Sequence, residues 1–499
     1  MVVPALFAGA FAACTDDSSN GGGSPTLDAG GFDAPSRDGT TNDANGGSDS
    51  GTDATTDANA DASDAGEAGA LPGKLVIMSP ATVVDEDGGS PVTVPAPNVP
   101  VQVFGSTPAG RIILFEPGTP GAIVSVKQDG TGRVVLVDAA SAPNDTTVMG
   151  VVGIAPNDTI YYRLTRGGAD DYHLGSIKSD GTSRATTVQL TGGATNATNL
   201  SFHGQVPGNV HPLDTRYRSR IFTTDSRLVY SEYNGATLIR VRAISPDLAT
   251  TTTVFTAGAN LFETVCGITP DGHAIYYRAR VANGSVFDAV SVKLDGTGES
   301  VLTTNVTTFY NCEVTVSGHV LVRLDTGNNQ RDLHISTAGG LVALRADADA
   351  DESFAAEAPD GRLLVRALDR TTSQMSLYIV AANGTGATPL VTTADAAGAF
   401  GEFIAVTPTG RVLFERSASF GGPATLHSIK LDATGRLNHL ASSKFDSSSP
   451  FSVTTSGRFV YRDFTTAIQS MRVDAVVSDS VPDQVKVSNT ANLLALVLN

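Results

Sequence analysis

The strongest constraint on the fold is a turn that returns eight times along the chain. It reads Thr107-Pro108-Ala109-Gly110-Arg111, Ala155-Pro156-Asn157-Asp158, Thr224-Asp225-Ser226-Arg227 and Thr269-Pro270-Asp271-Gly272-His273. It recurs as Val316-Ser317-Gly318-His319, Ala358-Pro359-Asp360-Gly361-Arg362, Thr407-Pro408-Thr409-Gly410-Arg411 and Thr455-Ser456-Gly457-Arg458. Measured at positions 110, 158, 226, 272, 318, 361, 410 and 457, the steps are 48, 68, 46, 46, 43, 49 and 47 residues. Proline presets φ for a turn and a following Asp or Gly completes it, so each occurrence closes a hairpin. The runs that follow, such as Ile112-Ile113-Leu114-Phe115 and Ile275-Tyr276-Tyr277, are β-branched and aromatic, as strands covered on both faces require. A second tight turn, Asp129-Gly130-Thr131-Gly132, returns at Asp180, Asp295 and Asn383, where Gly supplies positive φ. Four strands per unit at a period near 47 is the signature of propeller blades. The expected fold is all-β, a β-propeller of about eight four-stranded blades, with seven blades and one irregular unit as the alternative. Either residues 74–78 or residues 493–498 are expected to complete the last blade.

The N-terminus has a different character. Residues 1–14 form an apolar run ending in Phe11-Ala12-Ala13-Cys14, too short to span a bilayer and suited to a secretory signal. Its end resembles a bacterial lipobox, which implies Cys14 as a lipidated first residue; cleavage and release is the alternative. Residues 15–73 carry eleven Asp, one Glu and one Arg, with Phe32 as the sole aromatic residue. Such a stretch cannot offset its ordering entropy by burial, so a disordered acidic tether is expected, with the propeller over 74–499 and its repeats over about 97–475. The tether accounts for −11 of the chain's net charge of −18. The acidity therefore argues against a nucleic-acid partner and says nothing about a site.

Segments such as Ile268-Thr269-Pro270-Asp271-Gly272 and Val290-Ser291-Val292-Lys293-Leu294-Asp295-Gly296-Thr297-Gly298 resemble the WD40-like repeats of the TolB-type propeller family. The resemblance implies a fold and an extracytoplasmic setting. Family members usually have six blades.

Several constellations are candidates for chemistry. The 68-residue step is read as an insertion around 192–220 holding His203 and His211, residues suited to an irregular binding loop on a rigid scaffold. Arginines end the second strand of six units, at Arg163, Arg278, Arg323, Arg366, Arg416 and Arg462. They would form a basic ring for carboxylates, phosphates or acidic glycans, or else pair within the blades. Cys266 and Cys312 each precede the anchor residue by six positions. Equivalent positions on successive units are expected to point the same way, so two buried thiols are favoured over a disulfide. The same geometry disfavours zinc between these cysteines, His273 and His319. Asp347-Ala348-Asp349-Ala350-Asp351 opens like a calcium loop but lacks its later Gly and Glu. No nucleophile elbow, phosphate loop or zinc-protease motif occurs, and no cofactor or metal is expected. The leading expectation is a non-catalytic envelope or surface protein. It would be a lipid-anchored monomer, or a secreted one, presenting a propeller rim to a protein or glycan. The alternatives are a propeller enzyme acting on acidic glycans and a purely structural envelope protein.

Overall fold

The computed structural model describes 36 strands between residues 74 and 498, with most of the turns that join them. Residues 1–73, residues 203–221 and a number of shorter loop stretches lie outside the described residues. Cys14, His203 and His211 therefore fall outside them, as does the tether. The strands belong to one compact unit, Gly66–Asn499.

The fold is all-β and propeller-like, and it holds nine four-stranded antiparallel sheets where the repeat count gave eight. Eight sheets are each built from four consecutive strands, and we number them 2 to 9. They span residues 102–137, 146–189, 199–256, 263–307, 309–343, 350–391, 400–441 and 452–488. Sheet 1 is the one the turn count missed. It joins Lys74–Ile77, Thr82–Asp85 and Val92–Thr93 to the last strand, Ala495–Leu498. The register pairs Lys74 with Leu498 and Ile77 with Ala495, so both ends of the chain complete the same sheet rather than one or the other. The pair Lys74–Ile77 and Ala495–Leu498 comes from opposite ends of the chain, so no turn of the ruler's kind joins it, although Asp87-Gly88 stands between Thr82–Asp85 and Val92–Thr93.

The recurring turn has one physical cause. All eight anchor residues have positive φ, from +66° at Ser226 to +91° at Gly318. Glycine holds this conformation without a Cβ penalty. A threonine three residues before the anchor closes the loop: its Oγ1 accepts the N–H of Arg111, Arg227, His273, His319, Arg411 or Arg458 at 2.8–3.2 Å. In sheets 2, 8 and 9 the arginine after the anchor then reaches a serine on the third strand, Ser125, Ser428 or Ser470. In the second tight turn, Asp129, Asp180, Asp295, Asn383 and Asp432 each accept both the N–H and the hydroxyl of the threonine two residues on. These bonds hold the aspartate carboxyls below the usual range. Ala433 is the exception at the next position, with φ +66° where its counterparts are Gly130, Gly181, Gly296 and Gly384. Ala433→Gly is expected to raise stability by about 1 kcal/mol, the cost of a Cβ in the left-handed region. Urea denaturation would read it as a higher midpoint at constant m.

Neighbouring sheets stack face to face through eight apolar clusters, one at each boundary from sheets 1 and 2 to sheets 8 and 9. Strand periodicity fixes the faces. The second and fourth residues after each anchor point back to the preceding sheet: Ile160 and Tyr162 meet sheet 2, and Val412 and Phe414 meet sheet 7. The third residue points on to the next sheet, as Tyr161 and Leu413 do. The strand Ala495–Leu498 lies beside the first strands of both sheet 9 (Ser452–Val453) and sheet 2 (Gln102–Ser106).

The long step has a different cause from the one expected. Residues 199–202 are not part of an insertion: they form the first strand of sheet 4, pairing Asn199 with Tyr233 and Phe202 with Tyr230. The same edge resumes at Phe222, bridged to Leu228. The extra length therefore falls on residues 203–221, which lie outside the described residues.

Candidate functional site

The six arginines do not share one strand position. Arg163, Arg323 and Arg366 are fifth after the anchor and Arg278 and Arg416 are sixth, so strand alternation places the two groups on opposite faces. Arg163 lies over the Tyr172 ring, 4.9 Å from its centroid. Arg278 pairs with Glu299 at 3.1 Å, and Glu299 also accepts the Tyr276 hydroxyl at 3.0 Å. Arg416 is close enough to His427 to disfavour its protonation. Arg323 and Arg366 act on Glu313. The Arg462 side chain lies outside the described residues.

Charge concentrates instead at sheet boundaries. In sheet 2, Glu116 is nearly buried and pairs with Arg133 at 3.0 Å. In sheet 4, Glu232 occupies the same position, sixth after its anchor, and is 1% exposed. Two arginines of the next strand (Thr237–Ile244) converge on it: Arg240 Nε donates to Oε2, and Arg242 Nε lies 3.3 Å from Oε1. Burial and the Glu232 charge push the neighbouring Tyr230 hydroxyl up to about 12, with Arg242 opposing them.

At the boundary of sheets 6 and 7, the strand Ala350–Glu357 contributes Asp351, Glu352 and Glu357. Glu352 is fully buried, accepts Leu333 N–H at 3.1 Å and pairs with Arg345 at 3.5 Å. Arg345 stacks over Tyr378 at 4.0 Å. Asp351, the last residue of the calcium-like stretch, accepts Arg331 N–H at 3.2 Å and faces Arg370 at 3.6 Å. Asp347 and Asp349 lie outside the described residues. Among the described residues no group of three or more His, Cys, Asp or Glu is arranged to hold a metal.

Glu313 departs from the repeat. It stands five residues before its anchor, where other sheets have Gly105, Gly153, Gly267, Ala356 or Ala405. Burial pushes its carboxyl up to about 7, against the pull of Arg366 and Arg323. A carboxyl poised near neutrality can hold or release a proton, the property general acid–base chemistry uses. The sequence reading passed over it because a lone glutamate in a strand carries no motif.

Next to it, Cys266 and Cys312 form a disulfide, with Cα atoms 5.1 Å apart, where two thiols were favoured. A β-bulge is the reason. In sheets 2, 3, 5, 7 and 8 the residue six before the anchor is the extra one of a bulge: Phe104, Val152, Cys266, Ala355 and Ile404. Each packs toward the following sheet or, for Cys266, into the boundary with sheet 6. Sheet 6 bulges earlier, between Phe309 and Asn311, so Cys312 pairs directly with Val322 and shares its face toward sheet 5. The bulge shift turns two equivalent sequence positions toward each other.

No family model and no curated protein matches the chain. Among solved structures it is similar to Porphyromonas gingivalis dipeptidyl peptidase 4, at 11% identity over 80% of this chain and 62% of that one, with a TM-score of 0.50. It is also similar to prolyl oligopeptidase B from Galerina marginata, at 10% identity over 75% of this chain and 56% of that one, with a TM-score of 0.38. The chain thus covers less than two thirds of either structure. The first likeness carries the fold, and the protein it is drawn with is a peptidase, which corrects the expectation of a non-catalytic binding or scaffold protein.

Proposed function

We propose that the nine sheets close into a single ring and that the chain acts in peptide processing, as a propeller of the peptidase-associated kind. The observation that carries the reading is the fold shared with dipeptidyl peptidase 4 over four fifths of this chain. The position of Ala495–Leu498 between sheets 9 and 2 supports closure. The test is direct. The full chain is incubated with fluorogenic and fluorescently labelled proline-containing peptides, and both hydrolysis and anisotropy are followed. Turnover or saturable binding is the expected result. Neither one, at peptide concentrations up to about 1 mM, the upper end of common KM values, would overturn the reading.

Export completes the proposal. The apolar run ending at Cys14 is the motive for it, and the Cys266–Cys312 bridge supports an oxidising compartment, where such bonds persist. Lipid attachment at Cys14 is expected to disappear in Cys14→Ser; palmitate labelling that persists in the variant would sink the anchor.

A further inference from the structure

We propose that the outermost strand of sheet 5, Ser300–Thr307, pairs edge to edge with the same strand of a second copy of this chain. The inference does not depend on the peptide reading. An open sheet edge offers a row of N–H and C=O groups to any extended chain, and proteins guard it with short strands, proline or charge. The outermost strands of the other sheets are guarded in these ways. They run two residues in sheets 1 and 3, four in sheets 2, 6 and 7, and five in sheets 8 and 9. Pro389 stands in that of sheet 7 and Lys486 in that of sheet 9. Sheet 4 has six residues, but its Val254 and Phe255 are buried in the core. Sheet 5 has eight, with no charge, proline or glycine among them. Its Val301 is 47% exposed, and Val342, on the outermost strand of neighbouring sheet 6, is 36% exposed. Bulges against the third strand occur in sheets 2, 4, 7, 8 and 9 as well as in sheet 5, so they do not set this edge apart.

The residues of the strand identify its occupant. Read from both ends toward the middle, Ser-Val-Leu-Thr-Thr-Asn-Val-Thr is close to a palindrome. Antiparallel pairing about a twofold axis between Thr303 and Thr304 therefore sets Ser300 opposite Thr307, Val301 opposite Val306 and Thr303 opposite Thr304. Leu302 stands opposite Asn305. Three of these four pairs join like with like, and β-branched and Thr–Thr pairs are among those that stabilise neighbouring strands. No charge meets a charge. A short, uncharged, β-branched segment on an edge is also the pattern of strands that pair with their own copies. Eight residues span about 27 Å, a contact well below the ~1,200 Å² of stable interfaces. The dimer is therefore a weak one, with a Kd of about 10–100 μM.

Sedimentation equilibrium of the full chain between about 5 and 300 μM, a range that brackets this Kd, tests the contact. Monomers at the low end and dimers at the high end are expected. The double variant Thr303→Lys/Thr304→Lys sets lysine opposite lysine in both central pairs and is expected to weaken association about tenfold. Thr303→Glu/Thr304→Glu should do the same. An equimolar mixture of the two variants sets lysine opposite glutamate and is expected to restore dimers, which also shows that both variants fold. A wild type that stays monomeric across the range, variants that associate as the wild type does, or a mixture that stays monomeric overturns the proposal. The labelled proline-containing peptides supply the other occupant. A monomeric wild type whose peptide binding is lost in the lysine variant assigns the edge to a foreign strand, and that result overturns the proposal as well.

Discussion

Replacing both Cys266 and Cys312 by serine is expected to lower the stability of the folded chain by about 4 kcal/mol, the chain-entropy value for a bridge that closes 46 residues. The bridge ties the first strand of sheet 5 to the first strand of sheet 6, so its loss releases a covalent tie across which the Cα atoms lie 5.1 Å apart. Apolar contacts through Ile275, Tyr277, Val314 and Val322 remain, and they hold the boundary in the variant. The expected signature is therefore a lower urea midpoint with the β-sheet circular dichroism retained. Tryptic peptides of the unreduced protein should include Cys266 and Cys312 in one linked species, since Arg278, Arg280 and Lys293 lie between them. Separate, alkylatable peptides from unreduced protein would contradict the bridge.

The bridge also illustrates what a sequence of this kind reveals and what it conceals. Turn chemistry is local: a positive φ at Gly110 or Gly272 needs glycine or a tolerant residue within a few positions of the threonine that closes the loop, so spacing alone located eight hairpins. Face assignment is not local. Moving a bulge from position 312 to 310 reverses which sheet Cys312 addresses, and nothing in Phe309-Tyr310-Asn311-Cys312 announces it. The arginines follow the same rule, since a one-residue offset between Arg163 and Arg278 moves the side chain to the other face. Sheet 1 was hidden differently: its fourth strand comes from the far end of the chain, a pairing set by packing and not by any neighbouring residue. The charged sites at Glu232 and Glu313 arise from the meeting of strands and leave no linear motif.

Opposed proton linkage is the second large expected effect. His439 is 7% exposed and bonds Ser428 Oγ through Nε2 at 2.7 Å. Burial, with Arg411 and His427 adding to it, lowers its pKa to about 4 from an ordinary 6.5. The unfolded chain therefore binds the extra proton first. The stability tied to neutral His439 is full above pH 6.5 and falls by about 3 kcal/mol as the pH drops to 4, at about 1.4 kcal/mol per unit. Half-buried His427 shifts in the same direction, by burial and then by Arg416 and Arg436. Glu313 does the reverse. Its carboxyl is raised to about 7 from 4.5, so its contribution is full below pH 4.5 and is lost as the pH rises through 7. That loss is also about 3 kcal/mol. Glu313 offsets only one of the two histidines in this window, so wild-type stability should fall by about 3 kcal/mol between pH 7.5 and 4.5. Single substitutions separate them. His439→Gln keeps a donor for Ser428 but cannot charge, so in this variant His427 and Glu313 oppose each other and stability should change little on acidification across the window. Glu313→Gln removes the opposing group and should lose about 6 kcal/mol across the same window. Below pH 3.8 both variants should fall together with the wild type, as the turn aspartates Asp225, Asp271 and Asp360 take up protons that their folded contacts resist. Urea midpoints at four pH values for the three proteins decide the matter. Parallel pH profiles for all three would show that neither side chain is held as its surroundings demand.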